Sequence, residues 1–298
     1  MTRTLLSAFF VAILANTVCA QTVLLIPDST NDRIAAFSPV DGSVINLDFV
    51  PDDGTLSTPL NAIDSGRGTL FVSDQIEDAV FEYGLDGTLI GMFAGPAEGL
   101  DNVRGIDTNN GNLYVTVGSG ALEDTIQEFP LSGGQSTWAT TNVDSPFDIV
   151  FRDNDALVTN IGTESIESYD FAGNLISNFH TSDGLTGIDF PEQAHEAPNG
   201  DILVGGFSAP AGVYRYDSNG NEIAYFDVNN GVRGVYELQN GNILWTAGSG
   251  VFSLDPSTGD STLITDDGSW RFIEAVTIPE PTGLALMLLG SLCLIRRK

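Results

Sequence analysis

The chain has 298 residues, a formal net charge of −29, 33 glycines and 42% apolar residues, with only 17% charged. That apolar share excludes bulk disorder, and abundant glycine with few charges favours short strands and tight turns over helices. Of 11 basic residues, Arg3, Arg296, Arg297 and Lys298 lie near the ends, and of 40 acidic residues only Glu280 does, which leaves 7 against 39, or −32, for a lysine-free body whose surface repels nucleic acid and anionic lipid.

The first predicted element is a secretory signal peptide over residues 1–20, MTRTLLSAFFVAILANTVCA. Arg3 precedes an apolar run from Leu5 to Leu14, and Val18 and Ala20 supply the small residues before a cut. Val18 stands where a lipoprotein signal needs a smaller residue before Cys19. The only other cysteine, Cys293, lies near the far end, so the body carries neither a disulfide framework nor a thiolate metal site.

Residues 21–278 repeat a unit of roughly 40 residues, within the propeller range. Each unit opens on an apolar strand: TVLLIPDS from Thr22, TLFVSDQ from Thr69, NLYVTVG from Asn112, DALVTNI from Asp155, DILVGGF from Asp201 and NILWTAG from Asn242. A second strand follows (RIAAFSP, AVFEYGL, TIQEFPL, SIESYDF, GVYRYDS, GVFSLDP), then a turn at Asp41-Gly42, Asp86-Gly87, Gly133-Gly134, Ala172-Gly173, Asn219-Gly220 or Thr258-Gly259. These dipeptides favour left-handed turn conformations. A third strand comes next, as in SVINLDF or TLIGMFA.

A short strand precedes each following unit: LNAID, VRGID, PFDIV, LTGID and VRGVY. The sixth copy, RFIEA at Arg271–Ala275, has no unit after it, while the unit at Thr22 has none before it. The last strand therefore completes the first blade and closes a ring. The expectation is an all-β, six-bladed propeller of four-stranded blades, with closure removing the exposed edges of repeated sheets. In its "GID … NG-NLYV … I-x-x-F … G" rhythm the body resembles the NHL and streptogramin-lyase-like propeller group, a resemblance that implies architecture more than activity.

Residues 279–298 read PEP-TGLALMLLGSLCLI-RRK. Pro279, Glu280 and Pro281 precede an apolar run over Gly283–Ile295, closed by Arg296, Arg297 and Lys298. As a helix that run is about 20 Å long at ~1.5 Å per residue, against about 30 Å of bilayer core, and its basic end stays cytoplasmic. The three parts in this order resemble the PEP-CTERM sorting signal of diderm bacteria. The resemblance implies an exosortase as partner, transient membrane contact through the C-terminal helix, cleavage near Pro279–Pro281, and a place at the cell surface or in an exopolysaccharide or biofilm matrix.

In a propeller, ligands meet the loops at the mouth of the axial channel. Aligning the short strands brings Asn61, Arg104, Phe147, Thr186, Arg233 and Arg271 to equivalent places. Arg104, Arg233, Arg271 and Asn61 are the candidate ligand-binding residues, since guanidinium groups take carboxylate, sulfate or phosphate in bidentate fashion. The alternative reading pairs each arginine with a carboxylate three residues along these strands, such as Asp64, Asp107, Asp189 or Glu274. His195, near Glu192 and Glu196 in the connection FPEQAHEAPNG, has the composition of a general base but reads as a solvated loop residue. The run Asp217–Glu222 has oxygen ligands at alternating places, as calcium loops do, yet its Asn-Gly turn explains it already. No metal site, cofactor or catalytic residue is assigned.

Two functions follow. The first is a secreted, exosortase-processed surface or matrix propeller that binds a glycan or protein partner. The second is a secreted propeller enzyme of lyase or lactonase type, with its site at the channel mouth.

Overall fold

The computed structural model describes residues 20–182 and 187–279. All but Ala20 of the predicted export signal (1–20) and all but Pro279 of the predicted tail (279–298) lie outside the described residues, as does Thr186. Among the described residues no helix is long and apolar enough to cross a membrane.

The strands that are apolar on both faces are buried on both faces. Leu70, Phe71 and Val72, Leu157 and Val158, and Leu203 and Val204 are all sealed from solvent, because each such strand is flanked by two neighbouring sheets. The third strand of each repeat alternates and lies outermost with one side to water, which leaves Ile45, Ile90, Ile176 and Ile223 exposed.

Twenty-four strands make six antiparallel four-stranded sheets among the described residues. Blade 1 holds β1 (Ala20–Asp28), β2 (Arg33–Phe37) and β3 (Val44–Val50), with the last strand, β24 (Glu274–Pro279), at its inner edge. Blade 2 is β4 (Pro59–Asp64), β5 (Thr69–Asp74), β6 (Ala79–Gly84) and β7 (Leu89–Ala94). Blade 3 is β8 (Val103–Asn109), β9 (Asn112–Val117), β10 (Thr125–Pro130) and β11 (Ser136–Ala139). Blade 4 is β12 (Pro146–Phe151), β13 (Ala156–Asn160), β14 (Ser165–Tyr169) and β15 (Leu175–Thr181). Blade 5 is β16 (Pro191–Glu196), β17 (Ile202–Gly206), β18 (Gly212–Tyr216) and β19 (Glu222–Asp227). Blade 6 is β20 (Val235–Glu237), β21 (Ile243–Ala247), β22 (Gly250–Leu254) and β23 (Ser261–Thr265). Thr22–Val276 forms one compact unit; the other described residues, 20–21 and 277–279, are the first residues of β1 and the last of β24.

The ring closes as the repeat count requires, with β24 beside β1. Regular pairing of the closing strand begins at Glu274, later than the expected Arg271, because Trp270 bridges Asp28 and the Arg271 N–H is taken by the Pro27 carbonyl at 3.0 Å. Trp270 is fully buried and stands edge-on to Phe37, with ring centroids 5.5 Å apart. Beside it Arg33 joins Asp28, Asp48 and Asp267 at 3.2, 3.1 and 3.0 Å, tying β2 to the closing segment.

A second correction concerns blade 5. Its inner strand is Pro191–Glu196, not Gly187–Asp189 of the LTGID segment that imitates the other repeats, so PEQAHE is strand where a loop is expected. His195 is accordingly no loop residue: it is half-buried and its ring lies against Tyr236, with centroids 4.4 Å apart.

The core is divided into slabs between adjacent blades. One joins Ile63, Phe71 and Val80 of blade 2 to Val103, Val115 and Phe129 of blade 3. Another joins Tyr114 and Trp138 of blade 3 to Val158 and Tyr169 of blade 4. The turn glycines seal these slabs at the rim. Gly173 has φ 80°, and a side chain there would strike the Trp138 carbonyl of the preceding blade; Gly87 and Gly220 sit likewise on Phe49 and Phe179.

Candidate functional site

Register along the innermost strands decides what meets in the channel. Asn61 lies opposite Ser73, Asp148 opposite Thr159, and Val235 opposite Trp245 on their respective second strands. Asn61, Gly105, Asp148, Gln193, Gly234 and Phe272 therefore share one level. The level before it holds Leu60, Arg104, Phe147, Glu192, Arg233 and Arg271. The three arginines do share a level, but Leu60 occupies the place expected for Asn61, and Glu192 that expected for Thr186.

Asn61 serves a different task. It is fully buried, and its amide donates to the Ile106 carbonyl of the next blade at 3.1 Å. Asp148 repeats this clasp by accepting from Ala194 N–H at 3.0 Å, and Gln193 repeats it by accepting from Val235 N–H at 3.0 Å. Phe147 and Phe272, from opposite blades, approach to 6.0 Å between centroids and help fill the axis.

At the arginine level, the expected pairing with Asp64, Asp107, Asp189 or Glu274 is not found. Arg33, Arg67, Arg152 and Arg215 form ion pairs, whereas Arg104, Arg233 and Arg271 form none among the described residues. Two of the carboxylates proposed as partners lie farther along their strands and are engaged elsewhere. Asp107 accepts from Phe151 N–H at 2.8 Å, and Glu274 from the Gln193 amide at 2.9 Å.

The channel arginines are held by neutral oxygens instead. Arg104 Nη1 donates to the Ser145 carbonyl, the Ser145 hydroxyl and the Pro146 carbonyl at 3.2, 3.0 and 3.0 Å. Arg233 Nη1 donates to Ser269 Oγ at 2.8 Å, and Arg271 Nε to Ser29 Oγ at 2.9 Å. Arg233 Nε is buried with no partner among the described residues. Aromatic faces complete the support: Arg104 lies 4.9 Å from the Phe147 centroid and Arg233 5.4 Å from that of Phe207, with Phe190 between the two rings. Phe190 has φ 52°, a left-handed backbone that a bulky side chain rarely adopts, immediately before the strand that carries Glu192.

Glu192 is the residue that the sequence alignment placed elsewhere. It is 2% exposed, its Oε2 is buried without a partner among the described residues, and Arg233, Arg271 and Arg104 all act on it through space. Burial outweighs the three positive charges and pushes its carboxyl up to about 7. Burial lowers Arg271 to about 10, with the neighbouring Arg233 charge adding to the effect. The signal was present in the sequence: eleven residues separate LTGID from the next strand, room enough for the true inner strand to slide toward Asp201.

Three residues farther along, the channel is acidic. Burial raises Asp107 to about 6 and Glu274 well above the carboxylate range, as it does Asp148 at the Asn61 level, with Glu274 helped by the charges of the other two. His195 stands at this level, and burial holds it down to about 4. It therefore does not join the arginines. No cluster of three or more His, Cys, Asp or Glu suited to a metal occurs among the described residues. Asp217, the first residue of the calcium-like run, spends its carboxylate on Asn219 N–H and Asn221 N–H, both at 2.9 Å.

The fold and this channel define a six-bladed β-propeller. No family model matches the chain, and no curated protein does. Among solved structures it is similar to a chain of the nidogen/laminin complex, with a TM-score of 0.67 at 13% identity, covering 86% of this chain and 98% of that one. It is also similar to virginiamycin B lyase from Staphylococcus aureus, in a catalytically inactive form with quinupristin, with a TM-score of 0.60 at 14% identity, covering 89% and 94%. A protein of unknown function from Bacteroides caccae gives 0.61 at 17% identity, covering 86% and 98%. At these identities the likeness is one of fold.

Proposed function

We propose that this protein is a secreted, exosortase-processed surface or matrix propeller that binds an anionic group of a glycan or protein partner at the arginine level of its channel. The observation that carries this reading is the arginine arrangement itself. In a body with a net charge of −32, three of seven arginines meet at one level without ion-pair partners among the described residues, and each keeps guanidinium N–H groups unspent. Desolvated cations aimed into a shared space are costly unless something anionic is meant to enter. The aromatic faces of Phe147, Phe190 and Phe207 suit a sugar ring beside its carboxylate.

The lyase-like fold supports a second reading, an enzyme at the same mouth. The separation of His195 from the arginines favours binding over acid–base chemistry. The test is a thermal-shift screen with uronic acid oligomers, sulfate and divalent metals, because a ligand that binds the native state raises Tm by mass action. Uronic acids should raise Tm, and Arg104→Ala with Arg233→Ala should abolish the ligand-induced rise. A rise that survives both changes places the site elsewhere. A metal-dependent rise with turnover of a lactone or cyclic depsipeptide would favour the enzyme.

A further inference from the structure

Glu192 sits among three arginines yet forms an ion pair with none of them, and one of its oxygens is buried without a hydrogen bond. A carboxylate placed to neutralise guanidinium groups would make direct bidentate contact. This one stands off, so the space between it and the arginines is where a ligand oxygen would lie. The guanidinium nitrogens left without a hydrogen bond among the described residues are Arg104 Nη2, Arg233 Nε and Nη2, and both Nη atoms of Arg271.

We propose that Glu192 is the resident counter-ion of the arginine level, and that an anion enters together with one proton taken up at this carboxyl, so that binding weakens as the pH rises. The inference rests on the reading of the mouth as an anion site and adds its regulation. The balance is simple. The free site holds three guanidinium charges and one carboxylate. An incoming carboxylate or sulfate ester adds one negative charge beside Glu192, which like-charge repulsion disfavours, and a proton from solvent on Glu192 restores the original net charge. The protonated carboxyl then donates to the ligand through the oxygen that had no partner.

The groups that face Glu192 are few. Arg104 comes from β8, Arg233 from the approach to β20 and Arg271 from the approach to β24, while Thr159 of β13 holds the Glu192 backbone carbonyl at 2.8 Å. Asp124 also acts on Arg104 through space. A carboxyl held near 7 by burial is half protonated in neutral solution, so the coupling falls within an accessible range.

The experiment is calorimetric titration of the purified full-length protein with a galacturonic acid trimer, whose carboxylates stay ionised throughout, at pH 6, 7 and 8. Two buffers of different ionisation enthalpy report the protons exchanged. The wild type should take up about half a proton per ligand at pH 7 and close to one at pH 8, and its affinity should fall about fivefold between pH 7 and 8. Glu192→Gln keeps a donor in place of the protonated acid, so its affinity should be flat over this range, with no proton uptake. The wild-type buffer dependence stands as a test even if the variant does not fold. Binding with no proton uptake in the wild type, or with equal uptake in Glu192→Gln, overturns the role of Glu192 and leaves the anion site intact. Absence of binding at every pH overturns the anion site and this inference together.

Discussion

Gln193 grips both backbone groups of Ile273: its Nε2 donates to the Ile273 carbonyl and its Oε1 accepts from the Ile273 N–H, each at 2.9 Å. The same Oε1 takes Val235 N–H at 3.0 Å, so one side chain joins blades 5, 6 and 1 beside the axis. Removing it leaves two buried donors and a carbonyl without partners, and each orphaned group costs about 1–3 kcal/mol. Gln193→Ala should lower the unfolding free energy by about 3–5 kcal/mol in urea titration. Gln193→Glu keeps the acceptors but adds a charge beside Glu274, so its deficit should grow as the pH rises. A loss under about 1 kcal/mol for the alanine variant would deny Gln193 this role.

The turn glycines divide into two kinds. Gly259 has φ 79° with open space around it, so Gly259→Ala should cost only the left-handed backbone term of about 1 kcal/mol. Gly173 has nearly the same φ of 80° but sits against the Trp138 carbonyl of the neighbouring blade. Gly173→Ala must also part blades 3 and 4 and should cost at least about 2 kcal/mol more. Equal losses in the two variants would remove the steric argument.

Arg33 tests the closure. Asp28 is fully buried, whereas the side chains of Asp48 and Asp267 are 64% and 63% exposed. Asp48→Asn or Asp267→Asn should therefore each cost under about 1 kcal/mol. Arg33→Met strips the buried carboxylate of its charge partner and should cost about 3–5 kcal/mol. Chemical denaturation of the three variants in parallel would reveal the order.

Stability should depend on pH in an unusual direction. Glu192 and Asp107 hold their protons up to about 7 and about 6, whereas in the unfolded chain both release them near pH 4. Between those limits the native state binds more protons than the unfolded one, so their contribution is lost as the pH rises. Asp148 and Glu274 act with the same sign. His195 opposes them: lowered to about 4, it contributes stability above its unfolded value of about 6.5 that is lost as the pH falls toward 4. Moving from pH 8 to about 6.5 should thus stabilise the protein by about 1 kcal/mol, and the gain should continue toward pH 5 with His195 offsetting part of it. In Tm measurements Glu192→Gln should flatten the upper limb, and His195→Gln should raise the lower one. A wild-type Tm that rises steadily from pH 6.5 to 8 would contradict these assignments.

The architecture was legible because the repeat writes the same pattern six times: an apolar run buried on both faces, an alternating outer strand, and a glycine that turns left-handed just before that outer strand, from Gly42 through Gly259. The missing first strand and the spare last one made ring closure readable as well. The site was only partly legible. Arg104, Arg233 and Arg271 share a level because their repeats keep strict spacing, but Leu60 and Asn61 are adjacent, and the short motif does not say which of them faces the arginines. Blade 5 misled most, since Gly187-Ile188-Asp189 copies the sequence of an inner strand that Pro191–Glu196 actually forms. Local similarity could not reveal this; the hydrogen bonds of Gln193 to Val235 and Ile273, and of Asp148 to Ala194, settle the register.

Because β1 receives its inner neighbour from β24, synthesis must reach the last of the strands before the first sheet is whole. Until then the chain carries an unpaired edge at β1 and an unfilled place in its core where Trp270 belongs. A nascent polypeptide in that condition is held open by its own connectivity, exposed to proteases and to mispairing with other copies. Completion of the circle thus becomes a natural timer that delays closure of the first sheet until β24 has emerged.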